Sequence, residues 1–269
     1  MFTCPDFGRD WLAIMEVLRV ENLSKAFGGV QALRDVSFSL KMGERLAIIG
    51  PNGAGKTTLL NLVNGQLPAT SGRIYCLGRD ITNMFTHSRA HLGQSRSFQI
   101  ISLFPNLTVL DNSMIALHGT ERSRFQMLRP TTSYTDLLAR AEEILTAIAL
   151  WEKKDELVRN LSYGEQRRLE ITLTLALKPK LLLLDEPSTG LTRAEGIELV
   201  ETLAKLGSDT TVLLVAHDMD LVFGVADRII VLHHGQVIAN GTPEDIQTDP
   251  RVQEIYMGIE ESADTATAV

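Results

Sequence analysis

Apolar residues fall along the chain in distinct regimes. Between Glu16 and Asp80, short stretches at Val17–Val20, Val36–Leu40, Arg45–Ile49 and Gly72–Tyr75 alternate or run apolar between glycine-containing turns. That pattern predicts strands. From about Leu103 to Asn160 the character changes to helix, and Leu137, Leu138, Ala141, Ile144, Leu145 and Ile148 recur at the spacing of an amphipathic one. After Leu161 the elements alternate: helix Glu165–Leu177, strand Leu181–Leu184, helix about Arg193–Leu206, strand Thr211–Ala216, helix Asp218–Val225, then a hairpin Arg228–Ala239 turning at His234-Gly235. Strand and helix in alternation imply a parallel sheet with helices on both faces. No internal repeat is visible.

The apolar strand Leu46-Ala47-Ile48-Ile49 feeds straight into Gly50-Pro51-Asn52-Gly53-Ala54-Gly55-Lys56-Thr57-Thr58. A helix is expected from Lys56 through Leu59, Leu60 and Leu62-Val63, stopping at Asn64-Gly65. The glycines let the backbone curl until successive N–H groups point into one concavity, at a helix N-terminus whose partial positive charge favours phosphate. Lys56 can reach β- and γ-phosphates, and the Thr57 hydroxyl can ligate Mg²⁺. A flexible strand-to-helix turn is the bland alternative. The full G-x-x-x-x-G-K-T spacing between strand and helix speaks against it.

A second apolar strand, Leu181-Leu182-Leu183-Leu184, ends in Asp185-Glu186-Pro187. Ligand groups in open α/β sheets gather at the carboxyl ends of strands. Asp185 is the candidate to hold Mg²⁺, and Glu186 the candidate general base or positioning group for an attacking water. Alone the pair reads equally well as a solvated acidic turn before Pro187. Beside the glycine loop it is the carboxylate partner that a triphosphate site requires. The chain between Lys56 and Asp185 is too long for adjacent βα units, so the helical block is an insertion on the core.

Composition narrows the setting. Forty-four per cent hydrophobic and 22 % charged residues in a chain of 269 describe an ordinary folded protein with a sizeable core. A net charge of −7 without a dense Lys/Arg run argues against nucleic acid as partner. The two cysteines, Cys4 and Cys76, form neither a disulfide framework nor a metal cluster, so a reducing cytoplasm is the default. Apolar runs fall well short of a bilayer span. Residues 1–14 lack the features of a signal peptide, and because Met15 sits just before the first strand they are expected to be either a loosely ordered extension or the product of a mis-assigned upstream start. The small, polar residues of 259–269 are expected to be disordered.

Leu161-Ser162-Tyr163-Gly164-Glu165-Gln166 opens a helix, and Ser162 with Glu165 makes an S-x-x-E capping box that explains the string locally. Ser162 and the Gly164 N–H could also present a second anion site, and both readings can hold. The string resembles the signature of ABC-type ATPases, and other motifs of that family follow in order. Phe27 resembles the aromatic that stacks on adenine. Gln99, in Ser97-Phe98-Gln99-Ile100, resembles the glutamine that reaches Mg²⁺ and the attacking water. Ser188-Thr189-Gly190-Leu191-Thr192 sits where the D-loop belongs, and His217, in Val215-Ala216-His217-Asp218, resembles the switch histidine. Singly, Phe27, Gln99 and His217 would be a core aromatic, a loop amide and a satisfied histidine. His233 and His234 read as turn residues. Tyr163 stands where most such signatures have Gly, and Thr192 where the D-loop commonly has Asp or Asn.

The resemblance implies an α/β P-loop core with an antiparallel β subdomain and an inserted helical subdomain at about 100–162, within an ATPase domain spanning 15–258. It implies catalytic roles for Glu186, His217 and Gln99, and ATP contacts from Phe27, the whole Gly50–Thr58 loop, Ser162, Gly164 and Glu165. Thr57, Gln99 and Asp185 would hold Mg²⁺. Such ATPases work as head-to-tail dimers, each ATP lying between the Gly50–Thr58 loop of one subunit and the Ser162–Gln166 segment of the other.

Within the family, Arg96-Ser97-Phe98-Gln99, Leu103-Phe104-Pro105-Asn106-Leu107-Thr108-Val109, Leu161–Glu170 and Asn240-Gly241-Thr242-Pro243-Glu244 are similar to importer ATPases for branched-chain and other hydrophobic amino acids. A lipopolysaccharide-export type shares much of this pattern, generally with a shorter helical insert. The implied partners are membrane permeases, a second ATPase subunit (identical or a paralogue) and, indirectly, a periplasmic solute-binding protein. The implied location is the cytoplasmic face of the inner membrane. Ile100, Ile101, Leu103, Phe104 and Leu107 are candidates to wall a groove for a short permease helix. Their alternative role is to pack the helical block. A GTPase is disfavoured because no N-K-x-D segment is present. Translation- and repair-type relatives carry a second domain or a coiled coil, and neither feature is seen. A non-hydrolysing regulatory subunit fits poorly with Glu186, Gln99 and His217 all in place.

Overall fold

A computed structural model describes residues 16–97, 103–118, 135–207 and 209–255. The expected terminal extension and tail, and Gln99 with its neighbours Phe98, Ile100 and Ile101, lie outside these residues.

The chain builds two sheets. Strands β1 (Glu16–Phe27), β2 (Val30–Lys41), β4 (Ser71–Cys76) and β5 (Arg79–Asp80) form an antiparallel sheet in the order β2-β1-β4-β5. The larger sheet runs β10-β9-β3-β8-β7-β6, from β3 (Arg45–Ile49), β6 (Gln94–Ser97), β7 (Leu181–Asp185), β8 (Thr211–Val215), β9 (Arg228–His233) and β10 (Gln236–Gly241). Its strands are parallel except β10, which returns antiparallel to β9. His234 at φ 45° and Gly235 at φ 75° make that turn, as expected, whereas His233, also read as a turn residue, is the last residue of β9 and pairs with Gln236.

Both faces of the parallel strands are covered, which is why their sequences run apolar without a break. Ile48, Leu181, Leu183, Leu213, Val215, Ile230 and Leu232 point to a core shared with the antiparallel sheet and with α1 (Lys56–Asn64). The intervening Ala47, Ile49, Leu182, Leu184, Val212, Leu214, Ile229 and Val231 point to the opposite core. There they meet α6 (Arg193–Ala204), α7 (Met219–Val225) and α8 (Pro243–Thr248).

The helical stretch has α3 (Val109–His118), α4 (Thr135–Ala147) and α5 (Tyr163–Ala176), with cores of its own around Val109, Leu145, Leu169 and Leu173 and around Met114, Leu117, Leu137 and Ala141. On α4 the buried face is Leu137, Ala141 and Leu145, an i, i+4 row. Leu138 lies off that row and is exposed, and Ile148 falls beyond the helix end.

Some elements exceed or escape the sequence reading. β1 and β2 are longer than their apolar stretches because register shifts between Val20 and Leu23, where Asn22 takes φ 46°, reset the alternation midway. Short α2 (Thr86–His91) and strand β6, which reads Gln94-Ser95-Arg96-Ser97, carry no apolar periodicity at all. β6 exists because it pairs in register with β7 at the sheet edge.

Candidate functional site

Strand order puts the candidate chemistry on one edge. β8 lies between β3 and β7, with Ile48 and Asp185 both in register with Val215, so the ends of these strands are level. From that edge leave the Gly50–Thr58 loop, the Asp185-Glu186 pair and the Ala216-His217 turn. Loops at the carboxyl ends of parallel strands are where α/β folds gather ligand groups.

The loop needs its glycines for space as well as conformation. A Cβ on Gly50, at φ 151°, would lie 2.1 Å from the Leu232 carbonyl oxygen. Gly55, the N-cap of α1 at φ 102°, leaves the helix without a side-chain cap and without an acidic residue in its first turn. The first N–H groups of α1 thus have no side-chain acceptor of their own, the state that suits an anion. The β9–β10 turn braces the loop from behind, with Gly235 N donating to Ala54 O at 3.0 Å. Lys56 arches back over the loop, its Nζ donating to Gly50 O at 2.6 Å and Pro51 O at 3.0 Å. Burial pushes its pKa down, against the pull of Glu186 and Asp185. A desolvated cation with two carboxylates in view is poised for a polyanion.

The carboxylates occupy different surroundings. Asp185 is buried; Arg96 Nη2 donates to its Oδ2 at 2.8 Å, while its Oδ1 is buried without a hydrogen-bond partner among the described residues. Burial raises the Asp185 pKa, and the Arg96 hydrogen bond and charge oppose that shift. Glu186 takes φ 45°, a strained conformation for a non-glycine residue and one that clusters at functional sites. Its amide donates to Val215 O at 2.7 Å and anchors it to the next strand. Its carboxylate accepts from Thr189 Oγ1 at 3.4 Å and lies 3.7 Å from His217 Nδ1. The structure thus brings Glu186 and His217 together.

Oxygen donors dominate what could hold a cation here. The Thr57 hydroxyl is exposed, and no cluster of three or more His, Cys, Asp or Glu occurs among the described residues. One carboxylate oxygen left over and one hydroxyl fit Mg²⁺, which keeps much of its water and takes few protein ligands.

Phe27 ends β1 and is exposed, with Lys25 Nζ 4.9 Å from its ring centroid. It is no core aromatic. Ser162 caps α5: its side chain accepts from Glu165 N, and Glu165 Oε2 accepts from Ser162 N at 2.9 Å. Glu165 also pairs with Lys153 at 2.6 Å. Partial burial works to raise the Glu165 pKa, yet the bonds from Lys153 and Ser162 together hold it below the usual value. Among the described residues no hydrogen bond or ion pair joins this turn to the Gly50–Thr58 loop.

The departures at Tyr163 and Thr192 have a structural account. Thr192 caps α6 in a second capping box with Glu195. A Cβ on Gly164 would lie 1.6 Å from Glu195 Oε1, and one on Gly190 would lie 2.7 Å from Tyr163 Cε1. The Ser162 turn and the Ser188–Thr192 turn therefore interlock. Arg167 joins them from below, pairing with Glu170 at 2.5 Å and donating to Pro187 O at 3.2 Å.

Of the residues suggested as groove walls, Leu103 packs on the helical core, whereas Phe104 is 54 % exposed and faces a groove shared with Ile115, Leu173 and Leu177. Sequence reasoning gave no role to Arg96, Arg167 or Glu170. Their signal was weak: charged residues in a polar strand or on a helix normally read as solvated.

Comparison with known proteins adds to the geometry. The family model described as ABC transporter matches residues 33–189, and the one described as branched-chain amino acid ATP-binding cassette transporter matches 236–262. The chain is 40 % identical over 249 residues to the high-affinity branched-chain amino acid transport ATP-binding protein LivG of Salmonella typhimurium, covering 90 % of this chain and 98 % of that one. It is 36 % identical to the corresponding protein BraF of Pseudomonas aeruginosa, over 90 % of this chain and 98 % of that one. Among solved structures, the ADP conformation of MJ1267, an ATP-binding cassette of an ABC transporter, superposes with TM-score 0.77 at 32 % identity, covering 91 % of this chain and 99 % of that one. A dimeric post-hydrolysis state of the cassette MJ0796, bound to ADP and Pi, gives 0.71 at 28 %, over 84 % and 98 %.

Proposed function

Since the chain belongs to the ABC transporter family, we propose that it is the ATP-hydrolysing subunit powering an importer of branched-chain or other hydrophobic amino acids. The observation that carries the catalytic part is the level edge on which Lys56, Asp185, Glu186 and His217 meet. The amino-acid part rests on the LivG and BraF relatives and on the match of residues 236–262.

The roles follow from the surroundings of each group. The N–H groups of the Gly50–Thr58 loop and Lys56 bind phosphates, Lys56 exchanging two loop carbonyls for phosphate oxygens. Phe27 offers an exposed face for the adenine. Thr57 and Asp185 would hold Mg²⁺, which when bound neutralises charge across the β- and γ-phosphates. Glu186, fixed through its amide, orients a water and accepts its proton, and His217 stands beside it. Gln99 completes the set on the resemblance alone. Lys56→Ala tests the site: ATP affinity measured by calorimetry is expected to fall about ten- to a hundredfold, the scale of lost charge-assisted hydrogen bonds. Unchanged affinity would remove the loop from the site.

A second ATPase subunit closes each site with its Ser162 turn. Support comes from the exposed Ser162 and from the dimeric state described for MJ0796. Closure excludes water and adds donors, which aligns nucleophile and phosphate. Residues 15–258 form the ATPase domain in this reading, and the helical part, about 100–162, faces the permease.

No described helix is long and apolar enough to cross a membrane. In this reading, attachment at the cytoplasmic face runs through permease subunits. A solute-binding protein acts only through them. The exposed Phe104 at the edge of an apolar groove suits a short permease helix. Phe104→Asp is expected to abolish transport in reconstituted vesicles while the isolated subunit keeps its ATPase activity. Loss of both together would assign Phe104 to packing.

A further inference from the structure

Arg96 joins three segments that the chain brings together from far apart. It sits on β6, at the sheet edge. Its Nη2 donates to Asp185 Oδ2 at 2.8 Å, and its Nη1 donates to Asn61 Oδ1 and to Gln66 Oε1, both at 2.7 Å. Asn61 lies on α1, the helix that begins with Lys56 and Thr57, and Gln66 follows just after it. One planar fork therefore sets how far the metal-side carboxylate stands from the helix bearing the threonine. Arginine suits this because its donors diverge in a fixed geometry, which a lysine ammonium cannot copy.

The pair is also an expensive way to gain stability. The side chains are 6 % and 2 % exposed, and taking such charges out of water costs several kcal/mol that attraction repays only in good geometry. Its division of labour is uneven: Oδ2 is held, whereas Oδ1 is buried with no hydrogen-bond partner among the described residues. A stranded buried acceptor carries a penalty that a bound ligand would remove.

We propose that Arg96 is a positioning residue of the nucleotide site: braced on Asn61 and Gln66, it holds Oδ2 of Asp185 so that Oδ1 stays presented to the hydrated divalent cation that accompanies ATP. The proposal rests on reading the Gly50–Thr58 loop as that site. Arg96 also lines the groove beneath Phe104, which sets the brace between the permease face and the carboxylate.

The test is a binding measurement that needs no turnover. Affinity for a non-hydrolysable ATP analogue is measured by calorimetry in EDTA and in MgCl₂, and the ratio of the two gives the Mg²⁺-linked tightening. Arg96→Met is expected to bind the analogue in EDTA within about twofold of the unmodified protein, while the tightening shrinks roughly ten- to a hundredfold, as when partners that orient metal ligands are removed. Arg96→Lys, which keeps charge but not the fork, should fall between the two. Unaltered tightening in Arg96→Met overturns the proposal, and so does equal weakening in EDTA and MgCl₂, which marks general damage to the loop. Should Arg96→Met fail to melt cooperatively, the double variant Asn61→Ala/Gln66→Ala removes the brace without stranding Asp185; reduced tightening supports the proposal and unaltered tightening overturns it. If the unmodified protein binds no analogue at all, the nucleotide-site reading itself has failed.

Discussion

Glu186→Gln is expected to bind ATP with near-normal affinity and to hydrolyse it on the order of a hundredfold more slowly, or worse. The substitution keeps size and shape, so the amide anchor to Val215 and the contact with Thr189 survive. Only the basicity and charge of one carboxylate are lost. In the proposed reading phosphate binding belongs to other residues: Lys56 touches Gly50 and Pro51, and the Glu186 carboxylate is not among its described hydrogen-bond partners. A steady-state phosphate-release assay, paired with nucleotide calorimetry, separates the two effects. Turnover at the normal rate would take the catalytic role away from Glu186 and pass attention to Asp185 or His217. A variant that cannot bind ATP would mean that the strained turn at Glu186 had shifted the neighbouring strand ends.

The second large effect concerns stability. Arg89, on α2, is 1 % exposed, and its described hydrogen bonds all go to backbone carbonyls. Its Nη1 donates to Leu62 O at 2.8 Å and Val63 O at 2.6 Å, its Nε to Met84 O at 2.8 Å and its Nη2 to Thr82 O at 3.2 Å. Two of these carbonyls belong to the last turn of α1, where intrahelical donors have run out and a cation is favoured. Burial pulls its pKa down to about 10, which leaves it charged at neutral pH. Gly65, the left-handed residue closing α1, makes room for it: a Cβ there would lie 2.6 Å from Arg89 Nε. Arg89→Met fills the space but leaves the Met84 and Thr82 carbonyls without a donor among the described residues, while Leu62 O keeps Gly65 N and Val63 O keeps Gln94 Nε2, at an expected cost of about 3–5 kcal/mol. For a domain of this size that lowers the melting temperature by roughly 10 °C. Since the loss falls at the far end of α1 from the loop, ATP affinity measured well below the transition should stay close to normal. A melting shift of less than about 2 °C would show that water replaces the guanidinium at little cost.

Much of the site was legible in the sequence because its parts are local. The Gly50–Thr58 loop, the helix after it and the acids ending β7 each announce themselves within a few residues, and apolar strands covered on both faces leave an unmistakable run. Arg89 and Arg96 were not legible. Nothing in Thr86–His91 or in Gln94–Ser97 shows that an arginine there will be buried, because what buries it arrives from α1 and β7 much earlier or later in the chain. The bulge near Asn22 hid half of β1 for a related reason: a shift of register flips the alternation, so the pattern breaks where the strand does not. Tyr163 and Thr192 looked like departures from the family pattern. Each instead fills a place made by the other turn, Tyr163 over Gly190 and Thr192 with Glu195 beside Gly164.

That mutual fit makes a stiff corner of two loops. With Gly164 leaving no space beside Glu195, Tyr163 lying on Gly190, and Arg167 fastened to Pro187, neither loop can be re-aimed alone. The corner is built like a bell-crank, so a push on α5 is expected to swing the Ser188–Thr192 turn that follows Glu186.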